Sequence, residues 1–253
     1  QALAREFNLS ETTFVLPPQD PPNTARVRIF NPAAEMPFAG HPTVGTGWVL
    51  AQAGKARDGM LRLEVPAGIV EVSIEGDGAI IAAPQPLSTG PELEVDLVAR
   101  SLGLAAGDLV TDNHPPLLAS TGNPFVFIEV TPDALARATP DLGLFRQVQA
   151  AYPQLGTDYD THLYARDGAQ IRTRMFAPLC GVVEDPATGS ANVTLAALLL
   201  SFTTDDAAAF DIVQGVEMGR PSRLKATARR TEAGIFATVG GGCVPVFRGE
   251  VDL

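Results

Sequence analysis

The sequence predicts an α+β protein made of two similar β-rich lobes, each with one central helix. Two observations carry this prediction. "RVRIFNP" (Arg26–Pro32) and "RTRMFAP" (Arg172–Pro178) share Arg-x-Arg-x-Phe-x-Pro, four identities in seven positions. Seven to nine residues further on, "HPTVGTG" (His41–Gly47) and "DPATGSA" (Asp185–Ala191) each set a titratable residue before Pro, with Gly and a hydroxyl residue in register. Two common strand-to-helix turns would share small residues by chance. The shared strand upstream favours a duplication instead, with strand, loop and helix entrance recurring in order. The lobes are expected to span 1–115 and 116–253, the last strand returning to the first lobe.

The elements follow from local pattern. In "QALAREF", Leu3 and Phe7 stand at i, i+4, and Asn8 suits a left-handed cap. "TTFVL" is β-branched and aromatic, hence a strand, and the Pro-rich "PPQDPPNT" is a connection. "ARVRIF" alternates, with Val27 and Ile29 on one face and Arg26 and Arg28 on the other. Gly40–Ala53 reads as a helix stopped by Gly54. From Leu61 to Pro84 short strands alternate with Gly-containing turns, and a short helix between Pro91 and Leu104 closes the first half.

In the second half, "LLASTGNPFVFIEV" is strand, Gly-Asn-Pro turn and strand. Helical patches follow at Pro132–Arg137 and Leu142–Ala151. "HLYARD" and "QIRTRMF" form a hairpin about Asp167-Gly168. After the "DPATGSANVTLAALLL" helix come strands in "AFDIVQG", "SRLKATARR", "GIFATVG" and "VPVFRGEVDL".

Composition removes several function classes. In 253 residues, 45% apolar and 19% charged content is that of a folded chain with an ample core. A net charge of -11 argues against a nucleic-acid partner, because phosphate binding needs a basic face. The two cysteines, Cys180 and Cys243, are too few for a disulfide framework and point to a reducing, cytoplasmic setting. The longest apolar run, near Leu195–Leu200, is too short for a bilayer, so no membrane partner is expected. No signal peptide is visible, and Gln1 suggests a chain that starts inside its gene product.

The two helix entrances suggest the chemistry. A helix start carries unpaired N–H groups and a partial positive charge, and glycines allow a ligand close to them. Two such entrances facing each other would hold a carboxylate or an enolate-like oxyanion without a metal. That suits proton transfer at carbon. Taken singly the residues have plainer readings: Asp185-Pro186 as a cap with Pro at the first helical position, Ser190 as packing, Glu11, Glu35 and Glu184 as surface carboxylates. His41 is a poor cap and needs another reason. "GHPTVGTG" lacks the Lys of a phosphate loop, and "GGG" (Gly240–Gly242) lacks a dinucleotide-binding context. His41, His114 and His162 show no metal-ligand spacing, so neither metal nor cofactor is expected. A hydrolase built on Ser190, His41 and Asp185 stays open, although no Gly-x-Ser-x-Gly elbow is present.

The motifs "AREFNLSETTFV", "RIFNPAAEMPFAGHPTVGT", "RMFAPLCGVVEDPATGSA" and "QGVEMGRPS" lie in family order across both halves. On them the chain resembles the PhzF family, the phenazine-biosynthesis-like isomerases with the diaminopimelate epimerase fold. The resemblance implies two pseudo-symmetric lobes, each a curved, mostly antiparallel sheet round a helix, with the site between them. It implies Glu11 as the proton-shuttling acid/base, with His41 and Asp185 in the same pocket. Ser10, Gly40, Thr43, Asn123, Gly189 and Ser190 are then the substrate-binding positions. Cysteine-dependent relatives on this fold carry a thiol at each helix entrance, where this chain has His41 and Asp185, so two-thiol racemisation is disfavoured. The family also has a first strand and a Gly-Asn-Pro turn ahead of Ala4, so one sheet is expected to lack a strand. A homodimer follows from the resemblance alone. The expected activity is a cofactor-independent isomerase moving a proton between carbons of a small carboxylate-bearing substrate. A non-catalytic carboxylate binder on the same fold is the other alternative.

Overall fold

Residues 1–155, 159–167 and 170–251 are described by a computed structural model of the chain. The first half runs α1 (Ala2–Phe7), β1 (Thr12–Leu16), β2 (Ala25–Phe30), β3 (Glu35–Met36), α2 (Gly40–Gln52), β4 (Met60–Val65), β5 (Gly68–Glu75), β6 (Gly78–Ala82), β7 (Ser88–Glu92) and α3 (Val95–Ser101). The second runs β8 (Leu117–Ser120), β9 (Pro124–Glu129), α4 (Pro132–Arg137), α5 (Leu142–Ala151), β10 (Thr161–Asp167), β11 (Gln170–Ala177), β12 (Val182–Asp185), α6 (Gly189–Ser201), β13 (Ala207–Gln214), β14 (Ser222–Thr231) and β15 (Gly234–Gly242). Among the described residues no helix is long and apolar enough to cross a membrane.

The strands join one mixed sheet in the order β1-β2-β4-β5-β6-β15-β14-β13-β11-β10-β9-β8-β7, with β3 beside β2 and β12 beside β11. Most pairs are antiparallel; β2–β4, β9–β10 and β11–β13 are parallel. The fold is thus α+β, as the sequence predicts. β15 closes the two halves together by pairing with β6, Val239 opposite Ile81. The glycines of "GGG" serve this seam: a Cβ at Gly240 would stand 2.6 Å from Ala79 O, and one at Gly78 2.1 Å from Gly241 O.

Two apolar cores form because several strands bury both faces. In β9, Phe125 and Phe127 point to a core that also holds Val27, Leu61, Leu195 and Leu198. Val126 and Ile128 point the other way, to Leu102, Phe145 and Tyr159 under α3 and α5. This is the period of two along a strand. α6 is apolar on all sides and every residue from Gly189 to Leu200 is buried, as a helix wrapped by sheet must be. It packs on β13, β14 and β15, whereas α2 packs on β5 and β6 and leaves Val49 at the surface.

The repeat has matching side-chain chemistry. Arg28 on β2 makes a bidentate pair with Glu35 on β3 and lies over the Phe30 ring, 4.9 Å from its centroid. Arg174 on β11 does the same with Glu184 on β12 and the Phe176 ring, at 4.8 Å. Glu35 is at the surface, as expected, but paired with Arg28, whereas Glu184 is partly buried against Arg174. Asn8 takes the left-handed cap, at φ 49. The hairpin of β10 and β11 is formed, although Gly168 of its expected turn lies outside the described residues. One strand expectation fails: 243–251 forms no strand, and Val244, Val246 and Phe247 are more than four-fifths exposed. Among the described residues no strand pairs with the alternating pattern there. The short β3 and β12 are additions that no pattern announced.

Candidate functional site

The N-termini of α2 and α6 touch at the centre of the molecule. A Cβ on Gly40 would lie 2.6 Å from the Ser190 amide nitrogen, and one on Gly189 3.1 Å from Gly40 Cα. Only glycine on both sides allows that approach. The N-cap residues, Ala39 and Thr188, make no side-chain capping bond. The amides of Gly40, His41, Gly189 and Ser190 have no intrahelical acceptor, and the positive ends of two helix dipoles meet there.

The register of the repeat differs from the expected one. Asp185 does not cap a helix and Pro186 is not helical, because β12 pairs with β11 and keeps the chain extended through Asp185, opposite Met175. The helix begins only at Gly189. Gly40 thus corresponds to Gly189, His41 to Ser190 and Thr43 to Asn192. The last two make the same i−4 bond: Thr43 Oγ1 donates to Ala39 O at 2.6 Å and Asn192 Nδ2 to Thr188 O at 3.0 Å.

A cleft of about 210 Å³ opens in front of these N-termini. Glu11, His41, Asp185, Gly40, Asn123, Gly189 and Ser190 all line it, which brings together most of the residues singled out in the sequence. Glu11 follows the α1 cap and stands ahead of β1, its side chain only 12% exposed and its Oε2 3.1 Å from His41 Nε2. Burial raises the Glu11 pKa above its ordinary value; the nearby His41 opposes this, Asp185 adds to it, and the Ser10 hydrogen bond opposes it. Among the described residues neither Glu11 Oε2, which His41 approaches as an ion-pair partner without an aligned hydrogen bond, nor Asp185 Oδ1 receives a hydrogen bond, and both are buried. Buried acceptors left open in this way are where a ligand's donors or exchanging protons would be received.

Two expected positions differ. Thr43 is fully buried, and its hydroxyl is used on Ala39 O, so it does not face the cleft. Ser10 acts on the Glu11 carboxylate. Among the described residues the Ser190 hydroxyl bonds neither His41 nor Asp185, and His41 faces Glu11 instead. Several wall positions escaped the sequence reading, among them Thr188, Asp160, Cys180 and Met175. Asp160 and Cys180 sit together on one side, Cys180 Sγ 3.7 Å from Asp160 Oδ1, and Met175 supplies apolar surface. A loop carboxylate such as Asp160 carries no local signal, whereas Cys180 lay inside a recognised motif.

Residues 1–249 match the family model described as phenazine biosynthesis-like protein. An uncharacterized isomerase of Mesorhizobium japonicum is 37% identical, with 99% of this chain and 87% of that protein covered. The trans-2,3-dihydro-3-hydroxyanthranilate isomerase of Pseudomonas fluorescens is 36% identical over 100% of this chain and 88% of its own length. A solved PhzF-family structure from Bacillus anthracis superposes with a TM-score of 0.83 at 25% identity, covering 95% of this chain and 84% of that one. A family match along nearly the whole chain, and a fold that agrees with it, place this protein in the PhzF family of phenazine biosynthesis-like isomerases.

Proposed function

We propose that the protein moves a proton between carbons of a small carboxylate-bearing substrate, without a cofactor, using Glu11 as the acid and base. The observation that carries this reading is a buried Glu11, its pKa raised by that burial, in one small cleft with His41, Asp185 and two abutting helix N-termini. The amides of the N-termini bind the substrate carboxylate and the charge that develops beside it. Glu11, its pKa raised by burial, gives a proton to one carbon and takes one from another. His41 and Asp185 orient the substrate and hold or relay protons at the cleft wall. The relatives' names make trans-2,3-dihydro-3-hydroxyanthranilate the first substrate to try. Association as a homodimer and a cytoplasmic setting belong to the same reading.

The test is incubation with that compound in deuterated buffer, following carbon-bound deuterium and product by NMR. Deuterium should enter with wild type. Glu11→Gln should lower the rate by about 10²–10⁴-fold with its melting transition intact. Near-full turnover by Glu11→Gln would remove Glu11 from this role. A ligand that binds without exchange would favour the binder, and labelling of Ser190 by a serine-directed probe would favour the hydrolase.

A further inference from the structure

The "QG" of "QGVEMGRPS" has no part in the chemistry above, yet Gln214 is fully buried beside Asp185 at the end of β13. Its bonds can be oriented without ambiguity, because several end on backbone groups whose direction is fixed. Gln214 Nε2 donates to Asp185 O at 2.7 Å, a carbonyl that can only accept. Gln214 Oε1 accepts the Thr188 amide at 3.0 Å, a group that can only donate. Asn192 Nδ2, which also donates to Thr188 O, donates to the same Oε1 at 2.7 Å. Asn192 Oδ1 is left to accept from His162 Nε2 at 3.1 Å, and burial lowers the His162 pKa to about 4. The amide planes of both residues are locked.

Thr188 then has one choice left. Its Oγ1 accepts from Gln214 Nε2 at 2.8 Å, so its single hydroxyl hydrogen goes to Asp185 Oδ2, 2.5 Å away. With Oδ2 occupied, Oδ1 is the Asp185 oxygen left buried and without a hydrogen-bond partner among the described residues. The neighbouring glycine completes the fitting. Gly215 has φ 79, and a Cβ there would lie 2.9 Å from Pro186 O, so only glycine lets β13 leave against the Asp185-Pro186 turn.

We propose that Gln214 is a positioning residue that acts through Thr188 on Asp185, fixing the Thr188 hydroxyl as a donor and so which Asp185 oxygen faces the substrate. The kinetic part of this inference rests on the isomerase reading; the structural part does not.

Gln214→Glu is the informative change. It keeps an acceptor for Thr188 N–H and Asn192 but removes the donor, so the Thr188 hydroxyl turns from Asp185 to the carboxylate introduced on β13. Crystal structures of wild type, Gln214→Glu and Thr188→Val are one readout. Deuterium-exchange kinetics on trans-2,3-dihydro-3-hydroxyanthranilate are the other, with Thr188→Ser and the Gln214→Glu/Thr188→Val double variant added. Asp185 Oδ2 should lose its Thr188 partner in Gln214→Glu, and Asp185 O should lose its donor. Both single variants should lose at least about tenfold in kcat with KM nearly constant, the scale of a hydrogen bond to a charged group. The double variant should fall no further, and Thr188→Ser should stay near wild type. If Gln214→Glu fails to fold, Gln214→Met, which removes the donor without adding charge, takes its place beside Thr188→Val and Thr188→Ser, and a Gln214→Met that keeps wild-type kcat overturns the proposal. An Asp185 still held by Thr188 in Gln214→Glu overturns the proposal, as do losses that multiply in the double variant. If wild type does not turn over this compound, the substrate reading fails while the crystallographic arm still decides the positioning role.

Discussion

In the proposed role, Glu11 serves function at a cost in stability. Its folded-state pKa is raised, with burial as the largest cause, so the native state holds this proton more tightly than the unfolded chain does. Stability therefore falls as pH rises from the ordinary value of 4.5 through the folded one, because there the native state binds more protons. At neutral pH the native state bears the cost of a buried carboxylate only partly offset by His41. Glu11→Gln keeps the shape and removes that cost. The variant should be inactive yet melt higher than wild type near neutral pH, with the difference closing well below pH 4.5. Thermal melts across that range are the check. A Glu11→Gln protein that melts lower at neutral pH would mean that the pairing with His41 outweighs desolvation.

Among the elements, the two central helices were the most legible part of the sequence and the register between them the least. Composition gave α6 away, since "NVTLAALLL" has no polar face to offer water. The shared Pro-x-x-Gly suggested aligning His41 with Asp185, but that alignment ignored strand pairing. β12 holds Asp185 against β11, and no short-range pattern shows such a pairing in a four-residue strand. Asp160 was hidden for the same reason, since its place in the cleft depends on contacts distant in sequence. Gly40 and Gly189 were singled out because a helix entrance makes local demands on the backbone, whereas Asn123 came from the family resemblance; all three line the cleft. The contact between helix ends also separates two glycines of α2. At Gly40 a methyl group would meet the backbone of Gly189 and Ser190, which cannot move aside cheaply. At Gly45 a methyl group would meet nothing within 4 Å among the described residues outside its own helix turn. Gly40→Ala should cost about 1–3 kcal/mol and abolish exchange. Gly45→Ala should be neutral or stabilising by up to roughly 1 kcal/mol, since alanine is the better helix former, with exchange retained. Denaturant melts and turnover of the pair test this, and equal effects at the two positions would refute the close approach.

Across the whole molecule, the same device joins the halves of the chain. β15 comes from the C-terminal half but pairs with β6, and one core mixes Val27 and Leu61 with Leu195 and Ala226. Neither half can bury its apolar face without the other, and the cleft lies where their helices meet. The chain should therefore unfold as one unit despite its internal repeat, with calorimetric and van't Hoff enthalpies equal. The seam offers a way to test the coupling. A side chain at Gly78 would have its Cβ 2.1 Å from Gly241 O, so β6 and β15 could not keep their spacing. Gly78→Val should lower the midpoint of that single transition and reduce exchange as well, although Gly78 does not line the cleft. If the halves were independent, Gly78→Val would instead split the transition, one part melting early and the other at the wild-type temperature. A scanning-calorimetry trace of the variant distinguishes the two: one peak displaced whole means that the sheet and its shared core, rather than either lobe, are what hold Glu11 opposite Asp185.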